Sequence, residues 1–186
     1  MPPAKILVPV IGMASFAILL LITLITTLVG VIAPRGGVLP HWLLITCFGL
    51  SWYNLSTAWL AQRVTYPLFG YVGRDSFAKY HATYDGRIVF PVILPAVLLM
   101  NASVLLVWCH PTGIPSWSIW TGVSLQLIIG LSTACLQVPA HRKLELKGFS
   151  REMHSELIST NWIRTAAYSV YALITTWLTA HGLSGT

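Results

Sequence analysis

Two charged stretches, each lying between long apolar segments, contain most of the side chains able to do chemistry. His81 and Asp85 are four residues apart, as are Gln137 and His141, so each pair lies on one face of a helix. Neutral imidazole combined with carboxylate suits iron, copper or zinc. The first interpretation is a metal site with four ligands: His81, Asp85, His141 and His154. The alternative is that the histidines cap helices and bond backbone carbonyls or lipid phosphates, because no compact motif such as HExxH is present.

Arg164 lies about one turn inside an apolar segment, shortly after Asn161 and Trp162. A charged side chain in the middle of a membrane costs roughly 2.5–3.5 kcal/mol, so we expect a strongly polar or anionic partner for this guanidinium. A structural interpretation pairs Arg164 with Asp85 or Glu156. A functional interpretation pairs it with the oxygen of a bound lipophilic molecule.

The functional interpretation gives a role to each polar group at the ends of the apolar segments. It assigns substrate binding to four side chains: Gln62, Gln137, Asn161 and Arg164. It assigns catalysis to three groups that transfer protons: Tyr66, His81 and His141. We expect all of these groups to meet in one layer if the helices form a closed bundle.

The composition indicates that lipid is the solvent for most of the chain. Mean hydropathy is +0.73, and 55% of the 186 residues are hydrophobic while only 9% are charged. The net charge of +6 comes without a dense basic run, which excludes a nucleic-acid partner and fits attraction to anionic lipids. The three cysteines form no CxxC pair and are interpreted as small buried hydrophobic residues: Cys47, Cys109 and Cys135.

Five segments are long and apolar enough to cross a bilayer, which takes roughly 20 residues. They are residues 8–32, 42–62, 88–109, 117–138 and 161–181. The first is too long for the apolar part of a signal peptide, so we expect it to be retained. The sequence therefore predicts an all-α integral membrane bundle, one domain over 1–186. A four-helix core follows an N-terminal span, and the stretches 63–87 and 141–160 form a helical cytoplasmic cap.

The basic residues predict the orientation of this bundle. Ten of the eleven, from Lys5 to Arg164, fall on one side of the predicted spans, and only Arg35 falls on the other. Basic loops stay in the cytoplasm, so the N-terminus is predicted to be cytoplasmic and the C-terminus outside, in a multi-pass inner (plasma) membrane protein.

Two prolines fall in the third predicted span. Pro91 lies in its first turn, where a missing N–H is harmless, whereas Pro95 leaves the carbonyl of Pro91 without its helical partner. We expect a bend there, which structure alone explains but which also widens the cytoplasmic half of the bundle.

Several short segments resemble a family of small, mostly uncharacterised bacterial multi-pass membrane proteins. They are residues 62–69 (QRVTYPLF), Val72-Gly73, Phe77, Tyr80-His81, residues 137–141 (QVPAH) and residues 161–165 (NWIRT). The resemblance covers roughly residues 58–180, is distant, and extends to anthrone-oxygenase-like membrane proteins. It implies oxidation of a polycyclic aromatic phenol and does not cover the first predicted span.

Two functions remain open on this basis. The first is a membrane oxidoreductase or oxygenase acting on a lipophilic aromatic or quinone-like small molecule. The second is a non-enzymatic accessory subunit that binds pigment or lipid. Membrane lipid is a partner in both, and the chain is expected to form a homo-oligomer or join a larger membrane complex. A carrier is disfavoured because we find no internal repeat and no acidic residue inside a predicted span.

Overall fold

The structure, a computed structural model, describes residues 38–184 and, before them, only Ile25, Leu28 and Ile32. These three positions are helical and exposed. The rest of the predicted span 8–32, with Lys5 and Arg35, lies outside the described residues.

The described residues form helices and turns, without any strand. The helices are α1 (Leu39–Leu60), α2 (Arg74–Arg87), α3 (Leu94–Leu105), α4 (Ser116–Ser132), α5 (Val138–Lys147) and α6 (Arg151–Ser184). A one-turn helix (Tyr66–Leu68) and a 3₁₀ turn (Phe69–Tyr71) continue the line of α1. The all-helical part of the prediction is thereby confirmed.

Three π turns interrupt or extend these helices, and each ends two residues before a proline. The turn Ala61–Thr65 precedes Pro67, Val89–Ile93 precedes Pro95, and Thr133–Gln137 precedes Pro139. Proline has no N–H to bond the carbonyl four residues earlier, so the helix widens locally at each of these points.

The carbonyl of Pro91, which Pro95 leaves without a helical donor, is not left unpaired. It accepts a hydrogen bond of 2.9 Å from the hydroxyl of Tyr53 on α1. The chain bends by 45° just before this point, where α2 meets the segment Val89–Leu105.

Helices α1, α3, α4 and α6 pack side by side around a mostly apolar core. Its largest buried side chains include Leu44, Leu99, Tyr168, Tyr171 and Leu178. Polar bonds also cross this core: Ser51 and Thr175 are joined by a hydrogen bond of 2.7 Å between their hydroxyls, and Ser103 and Tyr171 by one of 2.5 Å.

A second, smaller core lies at the end of the bundle where α2 and α5 pack. Its fully buried members are Phe69, Phe77, Leu144 and Leu157, with Ala140 and Tyr66 almost fully buried beside them. This end corresponds to the cap predicted from the stretches 63–87 and 141–160.

Among the described residues, one continuous helix, Ser116–Lys147, is long and apolar enough to cross a membrane. It contains the predicted span 117–138. The bent pair Arg74–Arg87 and Val89–Leu105 would provide a second crossing if it forms a single span. The number of spans therefore stays a prediction.

Candidate functional site

The predicted catalytic residues come from three separate elements that meet at the second core. Tyr66 directly follows the first π turn, His81 lies on α2, and His141 lies on α5 just after Pro139. The ring of Phe69 packs against the ring of His81 with centroids 5.4 Å apart and against that of Tyr66 at 5.7 Å. Aromatic packing on this buried phenylalanine thus helps to fix both side chains.

Two histidines and one carboxylate form a close cluster between α2 and α5. Nδ1 of His141 lies 3.1 Å from Nε2 of His81. The same Nδ1 lies 3.2 Å from Oδ1 of Asp85, and Nδ1 of His81 lies 3.3 Å from Oδ2 of Asp85. His81 is fully buried, His141 nearly so and Asp85 partly exposed. The i, i+4 spacing of His81 and Asp85 puts both on the same face of α2.

The charge of Asp85 is stabilised by the two rings. Burial alone raises the pKa of this carboxyl group, but the imidazoles of His141 and His81 outweigh burial and lower it from 3.8 to about 2. Asp85 is therefore ionised at neutral pH and places a negative charge beside both histidines.

Tyr66 links this cluster to Arg164. Nε2 of His141 lies 3.2 Å from the hydroxyl oxygen of Tyr66. Burial raises the pKa of Tyr66, while the charge of Arg164 and its hydrogen bonding to the phenol oppose that rise. The guanidinium of Arg164 is consequently close to a phenol that stays neutral at physiological pH.

The structural interpretation of Arg164 is wrong, because neither proposed carboxylate pairs with it. All five acidic residues of the chain lie within the described range, and none is at ion-pair distance from Arg164. Asp85 faces the two histidines, and Glu156 lies 3.5 Å from Nζ of Lys143. Nε of Arg164 is buried without a hydrogen-bond partner in the described part of the chain.

The three predicted substrate-binding amides are buried and mostly bonded within the protein. Nδ2 of Asn161 donates to Oε1 of Gln62 over 2.8 Å. Nε2 of Gln62 in turn donates to the carbonyl of Ile158, and Nε2 of Gln137 donates to the hydroxyl of Thr160. Oδ1 of Asn161 and Oε1 of Gln137 accept no hydrogen bond from any described residue. These amides connect α6 to the first and third π turns.

His154, the fourth predicted metal ligand, is not brought into the histidine cluster. Its Nε2 donates to the backbone carbonyl of Tyr66 over 2.7 Å, and a Cβ atom built on Gly70 would lie 3.3 Å from its ring. A histidine in this position supplies a donor to a carbonyl at the end of a helix.

Tyr84 was not in the predicted catalytic set, although its ring is stacked on that of His141. The two ring planes differ by 9° and their centroids are 6.2 Å apart. Burial raises the pKa of Tyr84, and the nearby Tyr66 and Asp85 raise it further. Its position three residues after His81 on the same helix is the sequence signal that could have identified it. Tyr84 also lines a groove of about 290 Å³ with Tyr80, Thr83 and Arg87.

Comparison of this chain with protein-family models, curated proteins and solved structures finds no match. The resemblance to anthrone-oxygenase-like proteins therefore stays a prediction, and the chemistry has to be argued from the site itself.

The assembled groups combine three chemical capacities. Tyr66, His141 and His81 lie in series and can pass a proton from one to the next. Arg164 supplies a fixed positive charge that stabilises a developing negative charge on oxygen. His81, Asp85 and His141 are the residues able to hold a metal ion, because one ligand atom from each lies within 4.8 Å of the others.

Proposed function

We propose that this protein is a membrane-embedded oxidoreductase or oxygenase that acts on a lipophilic aromatic phenol or quinone-like molecule. The observation that carries the proposal is the position of Arg164: its buried Nε has no partner among the described residues, no carboxylate lies at ion-pair distance from it, and it lies beside the hydroxyl of Tyr66. A guanidinium without a counter-ion in the protein can donate hydrogen bonds to an oxygen atom of a bound substrate.

A membrane location is supported by the distribution of apolar and polar side chains. Large apolar residues are exposed on several helices, among them Trp52, Leu98, Trp120, Leu131 and Leu173. Polar residues are buried in the interior instead, including Asn54, Asn101, Gln126, Gln137 and Thr165. Apolar surface of this extent indicates contact with lipid, and buried polar side chains commonly link helices within membranes. The basic residues near the site support a cytoplasmic position for this end.

The reaction uses the groups in a defined order. Arg164 and Tyr66 hold the oxygen of a phenol, and the Tyr66–His141 pair accepts the proton as the O–H bond breaks. In the simplest balanced form, a hydroquinone gives two protons and two electrons to dioxygen, which yields a quinone and hydrogen peroxide. In the oxygenase form, a benzylic CH₂ group takes one oxygen atom from dioxygen as C=O, and its two hydrogens leave with the other oxygen atom as water.

The groove beside Tyr84 supports access for such a molecule. It is lined by two tyrosines, one threonine and Arg87, so it combines aromatic surface with a positive charge. Tyr84 lines this groove, and its ring is stacked on the imidazole of His141. A flat aromatic molecule in the groove would reach the cluster by displacing one ring.

Replacement of Arg164 by alanine tests the proposal. Full-length protein in mild detergent is given lipophilic hydroquinones and polycyclic phenols, and dioxygen uptake is recorded with product spectra. We expect Arg164→Ala to lower kcat/KM by about 100-fold, as loss of one preorganised donor does. Arg151→Ala is the matched control, since Arg151 is an exposed arginine of the same helix and should leave uptake unchanged.

Unchanged turnover in Arg164→Ala would reject the assignment of the site. Absence of uptake by the wild-type protein with every substrate of this class would reject the reaction itself.

A second candidate function rests on a different surface. Trp117 and Trp177 line an apolar groove of about 350 Å³ with Val170, Leu173 and Ile174, and its α6 residues lie six to thirteen positions after Arg164. Such a groove suits a pigment or lipid tail, as in an accessory subunit. Recovery in mild detergent of a stable larger assembly that retains pigment, without turnover, would favour this function.

A further inference from the structure

The cluster of His81, Asp85 and His141 has a ligand set typical of transition-metal sites. Two neutral imidazoles and one carboxylate suit first-row divalent ions such as iron(II), zinc and copper(II). The ligands come from two helices that pack against each other, His81 and Asp85 from α2 and His141 from α5. Ligands on packed helices are held more precisely than ligands on loops.

One ligand atom from each of the three residues lies within 4.8 Å of the other two. Nδ1 of His141 lies 3.2 Å from Oδ1 of Asp85, and Nδ1 of His81 lies 3.3 Å from Oδ2. Nitrogen and oxygen ligands at about 2.1 Å from a tetrahedral ion are separated from each other by about 3.4 Å. The two contacts involve different oxygens of Asp85, so an ion fits once the carboxylate and the rings rotate to share one centre.

Two atoms of the cluster lack the hydrogen bonds that burial normally requires. Nδ1 of His81 and Oδ1 of Asp85 are buried and have no hydrogen-bond partner among the described residues, although both have close neighbours. His81 has no exposed surface at all. Buried polar atoms are nearly always satisfied, and the nearest partners here lie at ion-pair distances of 3.3 Å (Oδ2 of Asp85) and 3.2 Å (Nδ1 of His141), which is compatible with an additional group at this point. A cation that binds both would satisfy them.

The surroundings also match those of a metal ligand. A histidine that binds a metal through one nitrogen usually donates its other N–H to a neighbouring oxygen. Nε2 of His141 lies 3.2 Å from the hydroxyl of Tyr66, so the nitrogen left to bind a metal is Nδ1, which faces His81 and Asp85. No lysine or arginine of the described residues forms an ion pair with Asp85, which leaves its negative charge for a cation.

We infer that His81, Asp85 and His141 bind one first-row divalent metal ion, with Tyr66 orienting His141 and with open coordination positions for water or a substrate oxygen. Three protein ligands with open positions are characteristic of catalytic rather than purely structural sites. The inference concerns the site of the proposed function but does not depend on turnover, because a bound ion is measured directly.

Metal binding by the purified full-length protein tests the inference. The protein in detergent is stripped with a chelator, dialysed against zinc(II) or cobalt(II), and analysed for metal content and affinity. We expect one equivalent per chain, and ligand-field absorption typical of nitrogen coordination for cobalt. Asp85→Asn and His141→Gln should each lower the affinity at least 100-fold, while His154→Gln, whose ring lies outside the cluster, should not change it.

Tyr66→Phe provides a finer test, because it removes the hydroxyl beside His141 and Arg164 without removing any proposed ligand. Loss of such an outer contact typically weakens metal binding by about 10- to 100-fold. Circular dichroism of the metal-free variants checks that each one is folded. If a ligand variant does not fold, Tyr66→Phe and the cobalt spectrum of the wild type still decide the question.

Two results would overturn the metal site in favour of a metal-free hydrogen-bonded His–Asp–His network. The first is a wild-type protein that retains no ion, and the second is equal metal binding by wild type, Asp85→Asn and His141→Gln. The outcomes separate this inference from the proposed function. Stoichiometric binding without any turnover would leave the metal site standing and reject the oxidoreductase. Turnover by a wild-type protein that binds no ion even after dialysis against zinc(II) or cobalt(II) would reject the metal site and leave the oxidoreductase standing.

Discussion

The amides of Gln62 and Asn161 act first as structural links between helices. Asn161 donates to Gln62 over 2.8 Å, and Gln62 donates onward to the carbonyl of Ile158 over 3.2 Å. Both side chains are buried, so each satisfies polar atoms that water cannot reach. Oδ1 of Asn161 is the atom of this pair that remains without a donor, so under the proposed function it is the one open to a substrate.

Replacement of Asn161 by leucine should therefore destabilise the fold. The change leaves the amide of Gln62 buried without its donor, at a cost of about 1–3 kcal/mol in the free energy of unfolding. Unfolding monitored by circular dichroism in mixed detergent measures the cost. Ser159→Ala, on the exposed side of α6, is the control and should change stability by less than about 0.5 kcal/mol.

The double variant Gln62→Leu/Asn161→Leu gives an independent check. If the two amides depend on each other, the double variant loses less stability than the sum of the single variants. Strict additivity would show that the bond between them contributes nothing.

Spacing along a helix made part of the site predictable from the sequence. The i, i+4 relation placed His81 and Asp85 on one face, and their closeness in the structure follows from helix pitch alone. The approach of His141 depends on how α5 packs on α2, which no local pattern encodes. His154 shows where prediction from spacing fails. It lies on the same long helix as Asn161, but its ring bonds the backbone carbonyl of Tyr66 instead of joining the histidine cluster.

At the scale of elements, π turns position several polar side chains of the site. Gln62 and Gln137 lie inside π turns, and Tyr66 follows directly after one. Each π turn is followed by a proline, which can be read from the sequence. The shift from α to π geometry also depends on which donor bonds the carbonyl that the proline leaves free. For Pro91 that donor is Tyr53 on a different helix, and this tertiary contact could not be predicted.

Close packing of α4 on α6 gives the sharpest prediction at this scale. A Cβ atom on Gly122 would lie 2.8 Å from the ring of Tyr171, whose hydroxyl is hydrogen-bonded to Ser103. Gly122→Ala should lower the free energy of unfolding by about 1–3 kcal/mol, because the ring has to shift in a packed core. Thermal unfolding in detergent provides the measurement.

Gly49→Ala on α1 is the matched control for Gly122→Ala. Nothing lies within 4 Å of the Cβ position of Gly49, so alanine there should be neutral or stabilising by up to about 1 kcal/mol. Equal effects of the two substitutions would contradict the close contact between α4 and α6.

At the scale of the whole molecule, composition predicted the helical class but did not establish the number of spans. Most hydrophobic residues lie in segments long enough for helices, which accounts for the confirmed all-helical fold. Helix α6 is 34 residues long but carries His154, Arg164 and several hydroxyl side chains, and α3 is only 12 residues long. By length and hydropathy, Ser116–Lys147 is the one continuous helix among the described residues that could cross a membrane, and all the spans remain predictions.

The central claim is that the polar end of the molecule is a functional site rather than a set of bonds that hold the bundle together. These alternatives predict opposite effects on stability when Arg164 is changed. A buried guanidinium nitrogen without a hydrogen-bond partner costs folding free energy. If Arg164 is retained for function, its replacement should therefore not lower the stability of the fold.

The most direct measurement is the unfolding free energy and the turnover of Arg164→Met, recorded on the same preparation. Methionine preserves most of the apolar stem of the side chain and removes its charge. We predict that stability is unchanged or raised while turnover falls by about 100-fold. A clear loss of stability with turnover retained would contradict the account and show that Arg164 serves the fold.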